Sequence, residues 1–241
     1  MVEAEPRTAL VAGGSGFVGD VLLGRLLDEP DFGRVVAVSR RPLAREHSRL
    51  ANRIVQFDKL ESQLKGSSCH VAFCCLGTTL REAGSEQVFR RVEVDYVLAF
   101  ARAARAAKAD RFVVLSAYGA SDDARSLPLQ LKGEMERGLV AAGFPSVDIF
   151  QPAQVVGLRR GATLTDLMAL AITPLVNPFL VGPNEPRRAI SVDDLAAGLL
   201  GASRAGRKGV GRYTWSNIRS LARAKPHRPN PPDAKAAARR R

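Results

Sequence analysis

The feature that most constrains the fold is a glycine cluster that follows a short apolar run near the N-terminus. Residues 8–19 read Thr-Ala-Leu-Val-Ala-Gly-Gly-Ser-Gly-Phe-Val-Gly. Two glycine spacings fit this segment, G-x-G-x-x-G starting at Gly14 and G-x-x-G-x-x-G starting at Gly13. A strand, a glycine turn and a helix in this order are typical of a turn that binds a dinucleotide pyrophosphate, and a structural turn without ligand is the alternative. The residues predicted to contact the cofactor here are Gly13, Gly14, Ser15, Gly16, Phe17, Val18 and Gly19.

Apolar runs alternate with helical patterns along most of the chain. Nearly continuous apolar strands indicate a parallel sheet, because such strands are buried on both faces. The alternation predicts an α/β protein with a Rossmann-type doubly wound parallel sheet, which binds ligand at the carboxyl ends of its strands. The predicted strands are Thr8–Ala12, Val35–Ser39, Arg53–Phe57, Val71–Cys75, Phe112–Ser116 and Val147–Gln151, and the predicted helices include Val18–Leu27, Glu86–Ala107 and Leu129–Ala142.

The chain is long enough for one large domain, which we place at residues 7–220. Within it, residues 157–189 carry several prolines around one apolar stretch and are predicted to form a small C-terminal lobe on the substrate side. Regular structure is predicted to return at Ser191, a residue type that suits the N-cap of a helix over Val192–Leu200. Residues 224–241 form a basic, proline-rich tail whose composition predicts disorder.

The net charge of +12 is distributed unevenly. Residues 216–241 contain eight Lys or Arg and one Asp, so the folded part is only modestly basic. This pattern favours a solvated tail over a nucleic-acid-binding one. No run approaches the roughly 20 apolar residues of a membrane span, and the N-terminus is too acidic for a signal peptide. We therefore expect a cytoplasmic monomer or homodimer without a membrane partner.

The three cysteines, Cys69, Cys74 and Cys75, lie in or near an apolar run. No spacing of Cys and His residues suits a metal ion, so no metal site is predicted. Reduced thiols within the core are the expected state of these residues.

The residues after the second and third predicted strands bear on cofactor choice. The segment Ser39-Arg40-Arg41-Pro42 has two arginines where an acid would favour NAD(H) by bonding the ribose 2′-hydroxyl. Arg40 and Arg41 suit a 2′-phosphate, so we expect NADP(H) to be preferred over NAD(H), with an exposed loop as the alternative. Asp58 follows the third strand and is predicted either to accept from the adenine amino group or to cap a turn.

Further polar residues follow the fourth and fifth predicted strands. The fourth ends in Cys75-Leu76-Gly77-Thr78-Thr79, and Ser116 and Tyr118 end the fifth. Lys132 lies sixteen residues after Ser116, on the next predicted helix. A serine followed by a lysine on the next helix provides two of the three residues of a familiar proton-transfer set.

On these segments, together with Val94-Asp95-Tyr96-Val97 and Leu129-Gln130-Leu131-Lys132-Gly133-Glu134, the chain resembles the atypical short-chain dehydrogenases/reductases, in their NAD(P)H-binding, epimerase/dehydratase-like branch. The resemblance covers roughly residues 7–220 and implies an oxidoreductase that acts on a small molecule. It implies that Ser116 orients the substrate and that Lys132 holds the nicotinamide ribose. The additional residues predicted to bind the cofactor are Cys75, Leu76, Gly77, Thr78 and Lys132.

The chain departs from the family pattern at the proton donor. The family has Tyr-x-x-x-Lys, but Pro128 stands four residues before Lys132. A proline can open a helix, yet it has no ionisable group, and positioned acid–base catalysis is worth about 10²–10⁴-fold. Tyr118 could replace the missing residue, and a packed tyrosine is the alternative. The sequence thus leaves two hypotheses, an oxidoreductase of unknown substrate and a catalytically weakened NADP(H)-binding sensor or regulatory protein.

Overall fold

A parallel sheet forms the centre of the protein. The structure, a computed structural model, describes residues 6–158, 173 and 177–224. Within these residues the strands are β1 (Arg7–Ala12), β2 (Phe32–Ser39), β3 (Leu50–Ile54), β4 (Val71–Cys74), β5 (Arg111–Leu115), β6 (Ser146–Phe150), β7 (Gln154–Val156), β8 (Ala189–Ser191) and β9 (Gly209–Tyr213). Seven of them form one sheet in the order β3-β2-β1-β4-β5-β6-β9, and β7 pairs with β8 in a second one. Every pairing is parallel.

Helices connect the strands in the manner of a doubly wound fold. They are α1 (Phe17–Asp28), α2 (Leu60–Gln63), α3 (Leu80–Ala83), α4 (Glu86–Arg90), α5 (Tyr96–Ala106), α6 (Leu127–Ala141), α7 (Val192–Ala202) and α8 (Trp215–Arg223). One π-helical segment, Arg91–Asp95, joins α4 to α5, so the predicted helix over Glu86–Ala107 is present with a bulge in its middle. None of the helices in the described ranges combines the length and apolar character that crossing a membrane requires.

Both faces of the sheet are buried, which confirms the predicted fold class. Alternate residues of β1 enter different cores, Leu10 with α5 and α6 on one face and Val11 with α1 and α7 on the other. Phe100 and Met135 are fully buried in the first core. A strand that contributes to two cores has no polar alternation, which explains the continuous apolar runs.

Several local predictions differ from the structure. The third strand lies at Leu50–Ile54 rather than Arg53–Phe57, because Phe57 begins a 3₁₀ turn that buries its ring beside the sheet. Strand β9 and helix α8 were not predicted, since the glycines of β9 hide its strand character. Ser191 caps α7 as predicted, because its side chain accepts from the Asp194 N–H. Residues 225–241 of the tail and most of the predicted lobe lie outside the described residues.

A buried ionic network ties the C-terminal part of the sheet together. Arg111 of β5 pairs with Asp148 of β6, and both side chains are almost completely buried. The other arginine nitrogen donates to the carbonyls of Ala205 and Arg207, which lie before β9. The Tyr213 hydroxyl donates to the second Asp148 oxygen at 2.7 Å. Burial, followed by this carboxylate, raises the pKa of Tyr213 to about 12.

Loss of Asp148 should therefore destabilise the fold strongly. Asp148→Ala leaves the Arg111 guanidinium buried without its partner, so we expect the free energy of unfolding to fall by about 3–5 kcal/mol. Urea denaturation followed by circular dichroism measures this. The matched control is Glu61→Ala, which breaks an exposed pair with Arg102 and should cost less than about 1 kcal/mol. Equal costs for the two variants would contradict a structural role for the buried network.

Candidate functional site

The glycine turn between β1 and α1 packs against the end of β4. Gly13 has a left-handed φ of +82°, and a Cβ there would lie 2.5 Å from the Cys75 carbonyl carbon. A Cβ at Gly19 would overlap the Gly13 carbonyl oxygen, whereas one at Gly14 would make only an ordinary contact at 3.5 Å from the Leu23 side chain. The two spacings share Gly16 and Gly19, and the structure favours the one that starts at Gly13, because position 13 requires a glycine and position 14 does not.

The first turn of α1 is left open to an anion. The helix begins at Phe17, and its N-cap is Gly16, which has no side chain to bond the first N–H groups. The Gly16 N–H itself donates to Gly13 at 3.0 Å, which closes the turn. Uncapped N–H groups and the helix dipole together favour a negative ligand at this position.

A cavity of about 540 Å³, the main cavity of the candidate site, lies beside the turn and joins three of the predicted segments. Its lining includes Gly13, Ser15 and Gly16 of the turn, Arg40 and Arg41 after β2, and Cys75, Leu76, Gly77 and Thr78 after β4. A second cavity of about 670 Å³ shares Ser15 and Gly16 with it and adds Gly14 and Phe17. Val18 and Gly19 are buried in α1. Both volumes fall in the range of ligand sites.

Asp58 does not line the main cavity. Its carboxylate accepts from the Tyr96 hydroxyl at 3.4 Å. The Tyr96 ring stacks on Phe57 with centroids 5.1 Å apart, and these two rings line the main cavity while Asp58 lines a separate one of about 480 Å³ behind them. The predicted contact between Asp58 and adenine stays a prediction, since an aromatic pair stands between the two spaces.

Ser116 is bonded to a carboxylate that the sequence analysis did not single out. Its hydroxyl donates to Glu136 at 2.5 Å, and both residues are buried. The Gln151 amide donates to the same Glu136 oxygen at 2.7 Å, and Arg212 reaches the other oxygen at 3.2 Å. The serine proton is therefore directed into the protein, toward α6. The signal for Glu136 was its position four residues after Lys132, on the same helix face.

Lys132 also has an internal acidic partner. Its Nζ lies 2.7 Å from a Glu93 carboxylate oxygen and 3.3 Å from the Leu115 carbonyl oxygen. The other Glu93 oxygen accepts from the Thr78 N–H at 2.7 Å. Glu93 belongs to the π-helical segment and is buried, so it connects the lysine of α6 to the loop after β4. No sequence pattern marks this acid, since it lies within an otherwise helical run.

Pro128 occupies the first turn of α6, as predicted. The helix begins at Leu127 after the N-cap Ser126, so the missing proline N–H interrupts no helical bond. Pro128 is exposed, and Tyr118, which follows β5, is partly exposed. Gly133 of the same helix packs against the backbone of Ser121 and Asp122, where a Cβ would lie 2.5 Å from the Asp122 nitrogen.

The three cysteines are free thiols; Cys69 and Cys74 are buried, and Cys75 is partly exposed. Burial raises the pKa of Cys69 and of Cys74 to about 12, and the pKa of Cys75 also lies well above its ordinary value for the same reason. Cys75 contributes to the wall of the main cavity, and its protonated thiol is a packing group there.

Comparison with known proteins identifies the family to which the chain belongs. A model described as the NAD dependent epimerase/dehydratase family matches residues 9–135, and the chain belongs to that family. It is 37% identical over 158 residues to Protein HTATIP2 of Rattus norvegicus. This match covers 64% of this chain and 65% of that protein, so the chain spans slightly less than two thirds of the relative's length. It is 31% identical over 160 residues to Protein FMP52-1, mitochondrial, of Scheffersomyces stipitis, covering 64% and 69%. The resemblance to atypical short-chain dehydrogenases/reductases is thus confirmed.

Solved structures share the fold at lower identity. MoeE5 in complex with UDP-glucose and NAD superimposes with a TM-score of 0.64 at 20% identity, covering 89% of this chain and 80% of that one. The Bordetella bronchiseptica enzyme WbmH in complex with NAD+ gives a TM-score of 0.65 at 16% identity, covering 90% and 80%. At these identities the likeness establishes the Rossmann-type fold.

The expected cytoplasmic location is contradicted by the relatives. Those of Scheffersomyces stipitis and Saccharomyces cerevisiae are named as mitochondrial proteins, which points away from a purely cytoplasmic location. The expectation rested on the lack of an apolar span and on an acidic N-terminus. Neither property separates one aqueous compartment from another, which is why the prediction was wrong.

The two glycine spacings can be distinguished by a pair of alanine variants. The two spacings share Gly16 and Gly19 and differ at Gly13 and Gly14. Gly13 has a left-handed φ of +82°, and a methyl group there would lie 2.5 Å from the Cys75 carbonyl carbon. We therefore expect Gly13→Ala to destabilise the protein by about 1–3 kcal/mol. Gly14→Ala is the matched control and should change stability by less than about 0.5 kcal/mol. Thermal denaturation of both variants checks this, and a larger loss at Gly14 would contradict the assignment.

Proposed function

We propose that the protein binds NADP(H) and is an oxidoreductase-like member of its family in which hydride transfer is slowed by the lack of a proton donor. The observation that carries the proposal is the single cavity that brings the glycine turn together with Arg40 and Arg41. The residues fit a dinucleotide, because Gly13 and Gly19 permit close backbone packing and the start of α1 is uncapped. MoeE5 and WbmH, whose structures contain NAD, have the same fold.

The glycine turn would hold the diphosphate, and Arg40 and Arg41 would hold the 2′-phosphate. Both arginines are exposed, and within the described part of the chain neither guanidinium group has a hydrogen-bond or ion-pair partner. No acid stands among residues 39–42 to favour a 2′-hydroxyl. Two unpaired guanidinium groups at the rim of the cavity therefore support a preference for NADP(H).

The proposal of weak turnover rests on the three positions that the family pattern uses for proton transfer. Pro128 has no proton to donate, the Ser116 hydroxyl donates to Glu136, and the Lys132 ammonium is paired with Glu93. When bound, the nicotinamide would supply a hydride to a carbonyl or accept one from an alcohol. Ser116 and Lys132 would hold a substrate oxygen only weakly, because their side chains already bond Glu136 and Glu93.

The same contacts support a second candidate, an NADP(H)-binding sensor or regulatory protein. Ser116 and Lys132 have internal partners that do not depend on a substrate, so the site can be fully formed around a cofactor without turnover. The two candidates share the cofactor and differ in whether any carbonyl is reduced. Cofactor binding and catalysis therefore need separate tests.

Arg40 provides the test of cofactor choice. The unmodified protein should bind NADPH more tightly than NADH, and Arg40→Ala should lose most of this difference, because a charge-assisted hydrogen bond is worth roughly 1.5–3 kcal/mol. Calorimetric Kd values for both nucleotides measure the effect. Lys65→Ala removes an equal charge from an exposed position outside the cavity and should leave the preference intact. Equal affinity of the unmodified protein for the two nucleotides would reject the assignment.

Position 128 provides the test of catalysis. Pro128→Tyr places a hydroxyl four residues before Lys132 on the same helix face, and the exposed site has room for the ring. We expect reduction of test carbonyls to rise about 10²-fold over the unmodified protein. Pro128→Phe is the matched control, since it adds the ring without the hydroxyl, and it should give no gain. Brisk turnover by the unmodified protein that is lost in Tyr118→Phe would move the proton donor to Tyr118.

A further inference from the structure

The side chain of Asn52 crosses from β3 to the loop that follows β2. Asn52 lies opposite Ala37 in the parallel pairing of the two strands. Its amide nitrogen donates to the Ser39 hydroxyl oxygen at 2.8 Å and to the Ala37 carbonyl at 3.2 Å. Its amide oxygen accepts from the Leu43 N–H at 2.9 Å. One carboxamide therefore contacts β2 and both ends of the loop over residues 39–43.

A second link closes this network around the two arginines. The Ser39 hydroxyl donates to the Arg41 carbonyl at 2.7 Å while it accepts from Asn52. Within the described chain, residues 40–43 form no backbone–backbone hydrogen bond, and Pro42 has no N–H to give. The loop is thus held by side chains, and Asn52 is the residue that connects its start to its end.

We propose that Asn52 is the positioning residue for cofactor selection, because it fixes the loop that presents Arg40 and Arg41 to the 2′-phosphate. The inference rests on the proposed function. A carboxamide suits the position, because its NH₂ group can donate to both Ser39 and Ala37 while its oxygen accepts from the Leu43 N–H. A loop that is fixed before binding loses less conformational freedom when its arginines engage a phosphate, so the affinity for the 2′-phosphate is higher.

Binding of the two nucleotides tests the proposal. We expect Asn52→Ala to weaken NADPH binding about tenfold and to leave the Kd for NADH unchanged, because NADH has no 2′-phosphate for the arginines. Asn52→Leu removes the same hydrogen bonds but keeps the side-chain volume, so it serves as the test if the alanine variant does not fold. It should weaken NADPH binding by a similar factor. Ser67→Ala is the matched control, since it removes a hydrogen bond that the neighbouring β3 residue Arg53 donates at 2.8 Å, without touching the loop.

A double-mutant cycle separates positioning from a general structural role. If Asn52 acts through Arg40 and Arg41, Asn52→Ala should add little further loss of NADPH affinity in a protein that already carries Arg40→Ala and Arg41→Ala. Equal weakening of NADPH and NADH by Asn52→Ala, or a full additive loss in the triple variant, would overturn the proposal.

Hydrogen exchange gives a readout that needs no nucleotide. The Leu43 amide hydrogen, which bonds Asn52, should exchange at least about tenfold faster in Asn52→Ala, while amides of β2 keep their protection. Unchanged exchange at Leu43 would overturn the proposal even if the proposed function stands. If the unmodified protein shows no preference for NADPH, the proposed function fails in that measurement, and the role of Asn52 in selection fails with it. A preference of unchanged size in Asn52→Ala refutes only the role of Asn52.

Discussion

The backbone of Gly13 lies against the Cys75 carbonyl, and the other parts of the candidate site are arranged around this contact. It brings the turn after β1 to the end of β4 with no side chain between them, while Gly19 lets α1 approach the same turn. These two approaches place the start of α1 beside the loop over residues 75–78. A side chain at either glycine would separate the elements, so the cavity depends on close backbone packing.

Two buried acids hold the Ser116 hydroxyl, the Lys132 ammonium and the Thr78 N–H. Glu136 accepts from Ser116, and Glu93 pairs with Lys132 while it accepts from the Thr78 N–H. A buried carboxylate requires partners, because leaving it unpaired in the interior is costly. In this chain those partners are the residues that the family uses for proton transfer. Because Ser116 and Lys132 bond the buried acids, their side chains have a structural role even though position 128 is a proline.

The fold and half of the residues that line the main cavity could be predicted from the sequence because they depend on local signals. Apolar runs such as Val71–Cys74 reflect burial on both faces, and the glycine cluster reflects a turn that only glycine can form. Segments whose form depends on distant packing could not be predicted. Strand β9 contains two glycines and is held by pairing with β6, and Phe57 leaves the strand geometry because its ring packs on Tyr96.

Side-chain networks are a further class that sequence patterns do not reveal. Glu93, Glu136 and Asn52 belong to no motif, and their partners lie on other strands, helices and loops, from 9 residues away for Asn52 and Leu43 to 76 for Glu136 and Arg212. These three residues lie outside the motifs because their role is to bond residues of the motifs, Glu93 with Lys132, Glu136 with Ser116 and Asn52 with Ser39. The proposed selection of NADP(H) at Arg40 and Arg41 depends on Asn52, whereas the Ser116 hydroxyl is held by Glu136. The two properties can therefore change independently, which supports the proposal that this chain keeps a nucleotide-selecting loop although Pro128 replaces the family tyrosine.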